Sequence, residues 1–600
     1  MVRVIDDAEL LRLTAEPPRD VAPMLRRAHW FLPLVILAAV APPLIAAARA
    51  SLDDETAAWG LRAISVRYAR QLTQWLSPAT EWPDVPLNFA PPLYSWLTAP
   101  LLAAWPPGSV GSLLMVACLC AMAGIAVSYL FADETGGARW ALIVAICLSL
   151  HPQLLLTVQT GTPDALCFVL LTVTSWALWG HLNDRRDVVS FRLLMAGIAW
   201  GLLLLAGGSL ALAFVAVVAA WTIWSSLRSE EPSRSKAGTV RSRSKLGFAF
   251  ASLGILVLTG GALGFWWVAM QLAEYGWPFL SAWLVGQGGP QPLPWDHVPP
   301  RLSLERWLHR SVALGGWWLV GLVTEAKLGW SRRQSPEAEL ARWLVVWNVA
   351  AAAVRFALCF SGVEDPGVIR LWETFALLPA TLLAAHGLNC VLQREATWQL
   401  ILMALMVMIG QVCWMATGTL SIGVIVGAAF GILVLASAPL AVGLRRSTLA
   451  WSEAEIRRWV AIAAIATVCG HAAMSWSVTR PSPDRNVWLR VRQRLQVVTN
   501  ISQASLIVPH RGDGPRLRYL VCSLWPNAAV SQASGWDPKL TETLVRERSH
   551  PASRMVIVDW SGQELRLLDV PSGWRLTTLV EPEPYRGRRL AVHLLAPAAG

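Results

Sequence analysis

The sequence predicts a mainly α protein: a polytopic membrane helical bundle of about 13 spans with a small C-terminal extracytoplasmic α/β domain. Three observations predict it. Of 600 residues, 55% are hydrophobic and only 15% charged, with a mean hydropathy of +0.46, whereas soluble domains carry about a quarter charged residues. Apolar runs long enough to cross about 30 Å of hydrocarbon recur from residue 29 to residue 478. Beyond residue 478 the runs give way to polar sequence with short strand-like stretches. Disordered, collagenous and coiled-coil classes are excluded by the same composition. The net charge of +11 does not imply a nucleic-acid partner, because basic residues in a polytopic chain mark cytoplasmic loops.

Residues 1–28 read as a polar cytoplasmic segment. The first apolar run begins near Trp30 behind that segment, which suits an anchor rather than a cleavable signal. Spans are expected near 29–48, 111–131, 140–156, 164–180, 193–205, 208–225, 247–270, 311–329, 342–360, 368–390, 398–417, 420–440 and 459–478. The fifth and sixth are split only by Gly207-Gly208. With a cytoplasmic N-terminus, inside segments hold about 24 Lys and Arg and the shorter outer loops about 8. The densest basic patch, 228–245, then lies inside, as do Arg185-Arg186, Arg332-Arg333 and Arg445-Arg446. An odd span count places the C-terminus outside, so 50–110, 271–310 and 479–600 are extracytoplasmic.

Residues 479–600 form the expected α/β domain, with strand-like runs at Ser505–Pro509, Arg518–Leu524, Arg554–Trp560 and Leu590–Leu595. It holds one cysteine, Cys522, so no internal disulfide is expected. The other eight cysteines lie in apolar runs and read as core packing residues. Cys118 and Cys120, two apart, turn to different sides of a helix and do not suit a shared metal.

Candidate chemistry concentrates outside. Asp53, Asp54 and Glu55 follow the first span directly. Carboxylates near hydrocarbon suit a general base, and they equally suit the first turn of a helix, whose dipole favours acids. Residues 81–99 contain prolines before a Trp- and Leu-rich stretch, Pro91-Pro92-Leu93-Tyr94-Ser95-Trp96-Leu97-Thr98-Ala99, expected on the membrane surface. Asp164 opens the fourth span as Gly161-Thr162-Pro163-Asp164, an ionisable group at a depth that marks a site or a helix cap.

In this order, a span, an acidic pair, a loop ending in PPLYSWLTA, an Asp-initiated span and a soluble tail, the chain resembles the GT-C superfamily of membrane glycosyltransferases. The resemblance is to the type containing the aminoarabinose transferases of lipid A and the protein O-mannosyltransferases, and it covers about the first 400 residues. It implies transfer of one sugar from a polyprenyl-phosphate donor to a lipid, protein or glycan acceptor on the extracytoplasmic face, without a nucleotide sugar. It implies membrane lipids as partners, no nucleic acid and no cofactor, with a divalent metal left open. Asp54 matches the catalytic base of the pattern and Glu55 its companion. Anomeric inversion follows from attack opposite the phosphate, and cationic donors are needed for the leaving phosphate.

The chain departs from the pattern in its cations. Relatives commonly have Arg and Tyr where this chain has Ala57 and Ala58, Glu-Lys-Pro-Pro-Leu where it has Phe89-Ala90-Pro91-Pro92-Leu93, and Thr-Lys-Gly-Pro where it has Ala206-Gly207-Gly208-Ser209. The only lysines are Lys236, Lys245, Lys327 and Lys539. Substitutes stand in the second outer loop, at His297, Arg301, Arg306, His309 and Arg310, and at Arg370, which shares a helix face with Glu373. Asp164, His297, Arg301, Arg370 and Glu373 are therefore the candidate substrate-binding residues. Interfacial anchoring, or an Arg370–Glu373 ion pair, is the plainer role for the charged ones. Arg355, inside the ninth span, calls for a buried acid. Two other functional classes remain: an accessory binding protein that has lost catalysis, and a transporter. Retained acids argue against the first, and the lack of a repeat between halves against the second.

Overall fold

The computed structural model describes residues 54–76, 90–104, 111–184, 189–228, 245–285, 315–330, 336–360, 366–393 and 399–407, five strands between 503 and 597, and a few isolated positions. Helix α1 (Asp54–Arg67) is followed by two short helices, α2 (Leu72–Leu76) and α3 (Leu93–Thr98), and a 3-10 turn at Pro100–Ala104. The bundle continues as α4 (Gly111–Gly136), α5 (Ala138–Ser149), α6 (Pro152–Thr160), α7 (Asp164–Asp184), α8 (Phe191–Gly207), α9 (Ser209–Arg228), α10 (Lys245–Tyr275), α11 (Trp277–Val285), α12 (Gly315–Trp330), α13 (Pro336–Phe360) and α14 (Pro366–Leu392).

Five of the described helices, α4, α7, α10, α13 and α14, are long and apolar enough to cross a membrane, and the pair α5 and α6 adds a sixth as a broken span. The protein is an integral membrane protein. The expected spans at 29–48, 420–440 and 459–478 lie outside the described residues or nearly so, and 398–417 is described only over 399–407, as helix. The expected span at 140–156 is present as two helices. The first ends at Ser149, and α6 restarts at Pro152 with a bend of 51°. Pro152 lacks the N–H that would continue α5, and it suits the first turn of a new helix. The His151 side chain caps that helix by accepting the Gln153 N–H. The split between α8 and α9 falls at Gly208, whose φ of +49° favours glycine.

Helices α7 and α14 form the centre. Helix α7 packs against α4, α8 and α14, while α14 also packs against α5, α12 and α13. Small residues allow two close approaches. Gly197 and Gly201 of α8 meet Gly260 and Gly264 of α10, and Gly321 of α12 meets the backbone of Leu383 and Gly387 in α14. Within hydrocarbon, such contacts rest on van der Waals packing, because lipid gives apolar faces no incentive to associate. Hydroxyls inside the bundle turn back onto their own helices, as Thr172 does to the Phe168 carbonyl and Thr381 to the Leu377 carbonyl. Trp179, Trp221, Trp343 and Trp347 pack ring against ring, stacked or tilted, between α7, α9 and α13.

In the tail, β1 (Gln503–Val508), β2 (Ala529–Gln532), β3 (Ser553–Asp559), β4 (Trp574–Tyr585) and β5 (Arg588–Pro597) form one sheet in the order β2-β1-β3-β5-β4. The β1–β2 and β1–β3 pairs are parallel, and the β3–β5 and β4–β5 pairs antiparallel. Three expected strands match β1, β3 and β5. The fourth, Arg518–Leu524, is corrected at its one described position, Tyr519, which is helical and fully buried.

Candidate functional site

Helix α1 opens at Asp54, so the acidic pair stands in its first turn, where the helix dipole favours negative charge. The backbone there is described and the Asp54 and Glu55 side chains are not. The helix lies outside the spans and has no apolar stripe, yet every residue from Thr56 to Ile64 is buried. Ala57 is fully buried, so the small residues at 57 and 58 fit a helix covered on all sides. Two contacts fix α1 to the bundle. The Thr56 hydroxyl donates to the Thr160 carbonyl at the end of α6, and the Trp59 ring stands edge-on to Tyr94 of α3 at 5.6 Å.

Tyr94 is the hub of this region. Pro91 and Pro92 stand at the start of α3, which turns Tyr94 into the bundle. Its hydroxyl, fully buried, donates between the Gly161 carbonyl at 2.6 Å and the Leu113 carbonyl at 2.9 Å. Burial, together with the nearby Asp164, raises its pKa well above the ordinary tyrosine value, so it remains a donor throughout the working range. Gly161 closes α6 in the left-handed conformation, with φ +58°. Residues 93–98 are thus packed onto α1 and α4 through Tyr94.

The turn after Gly161 delivers Asp164 to the first turn of α7. Its Oδ2 accepts from the Thr162 hydroxyl at 2.7 Å and lies 3.6 Å from Arg370 Nε. The Thr162 hydroxyl is itself 3.2 Å from that of Thr160. Arg370 comes from the first turns of α14, and Glu373, one turn on, lies 4.0 Å from Arg355 of α13. The expected Arg370–Glu373 pair is therefore corrected: Arg370 meets Asp164, and Glu373 meets Arg355. Two acids and two arginines alternate across three helices, which neutralises charges that burial would otherwise make very costly.

The structure thus brings Asp54, Asp164, Arg370 and Glu373 to one end of the bundle, with Asp54 two residues from the Thr56 tether. His297 and Arg301 lie outside the described residues. Sequence reasoning missed Tyr94 as a tether and Arg62 altogether. Arg62 of α1 is buried, with its guanidinium 4.5 Å from the centre of the Trp59 ring. Burial lowers its pKa to about 9, which leaves it a cation at neutral pH. The signal for it was a lone arginine in a run of small and apolar residues, Ala57-Ala58-Trp59-Gly60-Leu61-Arg62-Ala63-Ile64.

Residues 90–238, from the start of α3 through α9, match the family of dolichyl-phosphate-mannose-protein mannosyltransferases. No curated protein sequence matches. The chain is similar in structure to ArnT from Cupriavidus metallidurans bound to undecaprenyl phosphate, at 14% identity and a TM-score of 0.55, covering 94% of this chain and 97% of that one. The apo state of the same ArnT gives 16% identity and 0.54, over 94% and 98%. The apo oligosaccharyltransferase of Archaeoglobus fulgidus gives 13% identity and 0.50, over 89% of this chain and 69% of that one. The long apolar helices, the tethered acidic helix α1, the match over residues 90–238 and the full-length likeness to ArnT together make this chain a divergent membrane protein of the GT-C fold.

Proposed function

We propose that the protein is a glycosyltransferase that moves a sugar, a hexosyl or pentosyl unit, from a polyprenyl-phosphate donor to an acceptor on the extracytoplasmic face, with Asp54 as general base. The observation that carries this reading is the tether of α1, whose first turn holds Asp54, beside the buried Asp164–Arg370 pair. The undecaprenyl phosphate in the ArnT structure supports the carrier class.

The Asp54 carboxylate takes the proton of an acceptor hydroxyl as its oxygen attacks the anomeric carbon opposite the phosphate. The bond from that carbon to the phosphate oxygen breaks, and the carrier phosphate leaves with the electron pair. Cations oppose the charge that develops on it. Arg62 and Arg370 are cations supplied by the described part of this region, in place of the lysines the chain lacks. Asp164, held by Thr162, keeps Arg370 in place.

The test is transfer from a labelled polyprenyl-phosphate sugar in membranes containing the wild type or Asp54→Asn. General-base catalysis contributes about 10²–10⁴-fold, so the variant is expected to lose at least about a hundredfold in kcat. Undiminished transfer would refute Asp54 as the base.

A further inference from the structure

Helix α1 is also met by the C-terminal part of the chain. Gly60, six residues beyond Asp54, lies against the ring of Tyr519, which is fully buried. A Cβ at Gly60 would stand 2.5 Å from Tyr519 Cδ2 and nearer still to Cε2. Real Cβ atoms do not approach so closely, so only glycine admits this ring without moving the helix or the tyrosine. One turn earlier on the same side of the helix, Thr56 reaches the Thr160 carbonyl, and Trp59 beside it stands against Tyr94. Together these contacts fix one face of a helix whose middle is made of small residues, Ala57, Ala58, Gly60 and Ala63.

We propose that Tyr519 is a positioning residue for sugar transfer: seated on Gly60, it sets the height and rotation of α1, and with them the place of Asp54. The proposal rests on the assignment of Asp54 as the base. The lever is short and stiff. Six residues of helix span about 9 Å, so a displacement forced at Gly60 reaches the first turn of α1 almost undiminished. A misplacement of about 1 Å at a reacting group costs about a hundredfold in rate. Through Tyr519 the C-terminal segment therefore acts on the place of Asp54.

The experiment compares kcat, donor KM and the pH profile of kcat for the full-length protein and for Gly60→Ala, Tyr519→Ala, the double variant and Asp54→Asn. Gly60→Ala is expected to lose about ten- to a hundredfold in kcat with donor KM within about twofold, and to shift the acid limb of its pH profile. Tyr519→Ala in that background makes room for the new methyl group and is expected to restore activity at least about fivefold over Gly60→Ala alone. Losses that multiply in the double variant, a Gly60→Ala rate within twofold of wild type, or a loss confined to KM would overturn the proposal. Should Gly60→Ala fail to fold, Tyr519→Ala alone carries the test, since it removes the ring without forcing the helix, and an unchanged kcat and pH profile there refutes positioning. If Asp54→Asn keeps full activity, the base assignment fails; if it is inactive while Gly60→Ala and Tyr519→Ala behave as wild type, positioning alone fails.

Discussion

At the scale of single residues, the region near Asp54 is organised by neutral donors as much as by charges. The single Tyr94 hydroxyl hydrogen is shared between the Gly161 carbonyl, where α6 ends, and the Leu113 carbonyl in the first turn of α4. Tyr94→Phe keeps the ring and its edge contact with Trp59 but removes that shared hydrogen. Unfolding in detergent should then show a loss of about 1–3 kcal/mol, and an unchanged midpoint would show that water replaces the hydroxyl. Arg370 and Asp164 form a closer constraint. Arg370→Gln leaves the Asp164 carboxylate buried opposite a neutral group, and breaking one side of a buried pair costs about 3–5 kcal/mol. Adding Asp164→Asn should recover part of that loss. If the double variant is no more stable than Arg370→Gln, the two side chains do not interact as their 3.6 Å separation indicates.

At the scale of elements, the fold depends on where helices stop and how closely they approach. The break between α5 and α6 lets the second piece end at Thr160, where it receives the α1 tether. Helices α12 and α14 approach so closely that a Cβ at Gly387 would meet the Trp317 carbonyl. Gly387→Ala must separate the two helices, and overpacking of this kind costs about 1–3 kcal/mol. Detergent-denaturation midpoints should report it, with Gly254→Ala as a control, since a Cβ there meets nothing within 4 Å. Equal stability of the two variants would contradict the close approach. Helix α1 itself was legible only as a cluster of acids. Its start at Asp54 follows from local chemistry, but its burial comes from neighbours distant in sequence or across turns, among them α2, α3, α4 and Tyr519.

For the whole molecule, charge asymmetry predicts an orientation across the membrane. With Lys and Arg concentrated in one set of loops, a reporter fused after residue 480 is expected to be active on the extracytoplasmic side. A cytoplasmic signal from that fusion would reverse the topology, and with it the side on which Asp54 and Asp164 act. The fold brings Tyr519 onto Gly60, so this part of the C-terminal region meets the helix that follows the first expected span.

The sequence by itself determined the membrane class, the start of α7 at Asp164, the break at Gly208, three of the five strands and the acidic pair at the head of α1. These follow from local causes: apolar length, proline and glycine geometry, and the helix dipole. It also carried the resemblance to the GT-C type, through the order of its motifs. Only the tertiary structure decided that Arg370 answers Asp164 and Arg355 answers Glu373, that Tyr94 joins α3 to two other helices, and that Tyr519 rests on Gly60. Those partners stand far apart in sequence, and burial rather than spacing selects them. An ion in a low-dielectric interior is stable only beside its counter-charge, and which counter-charge arrives is fixed by how the helices pack.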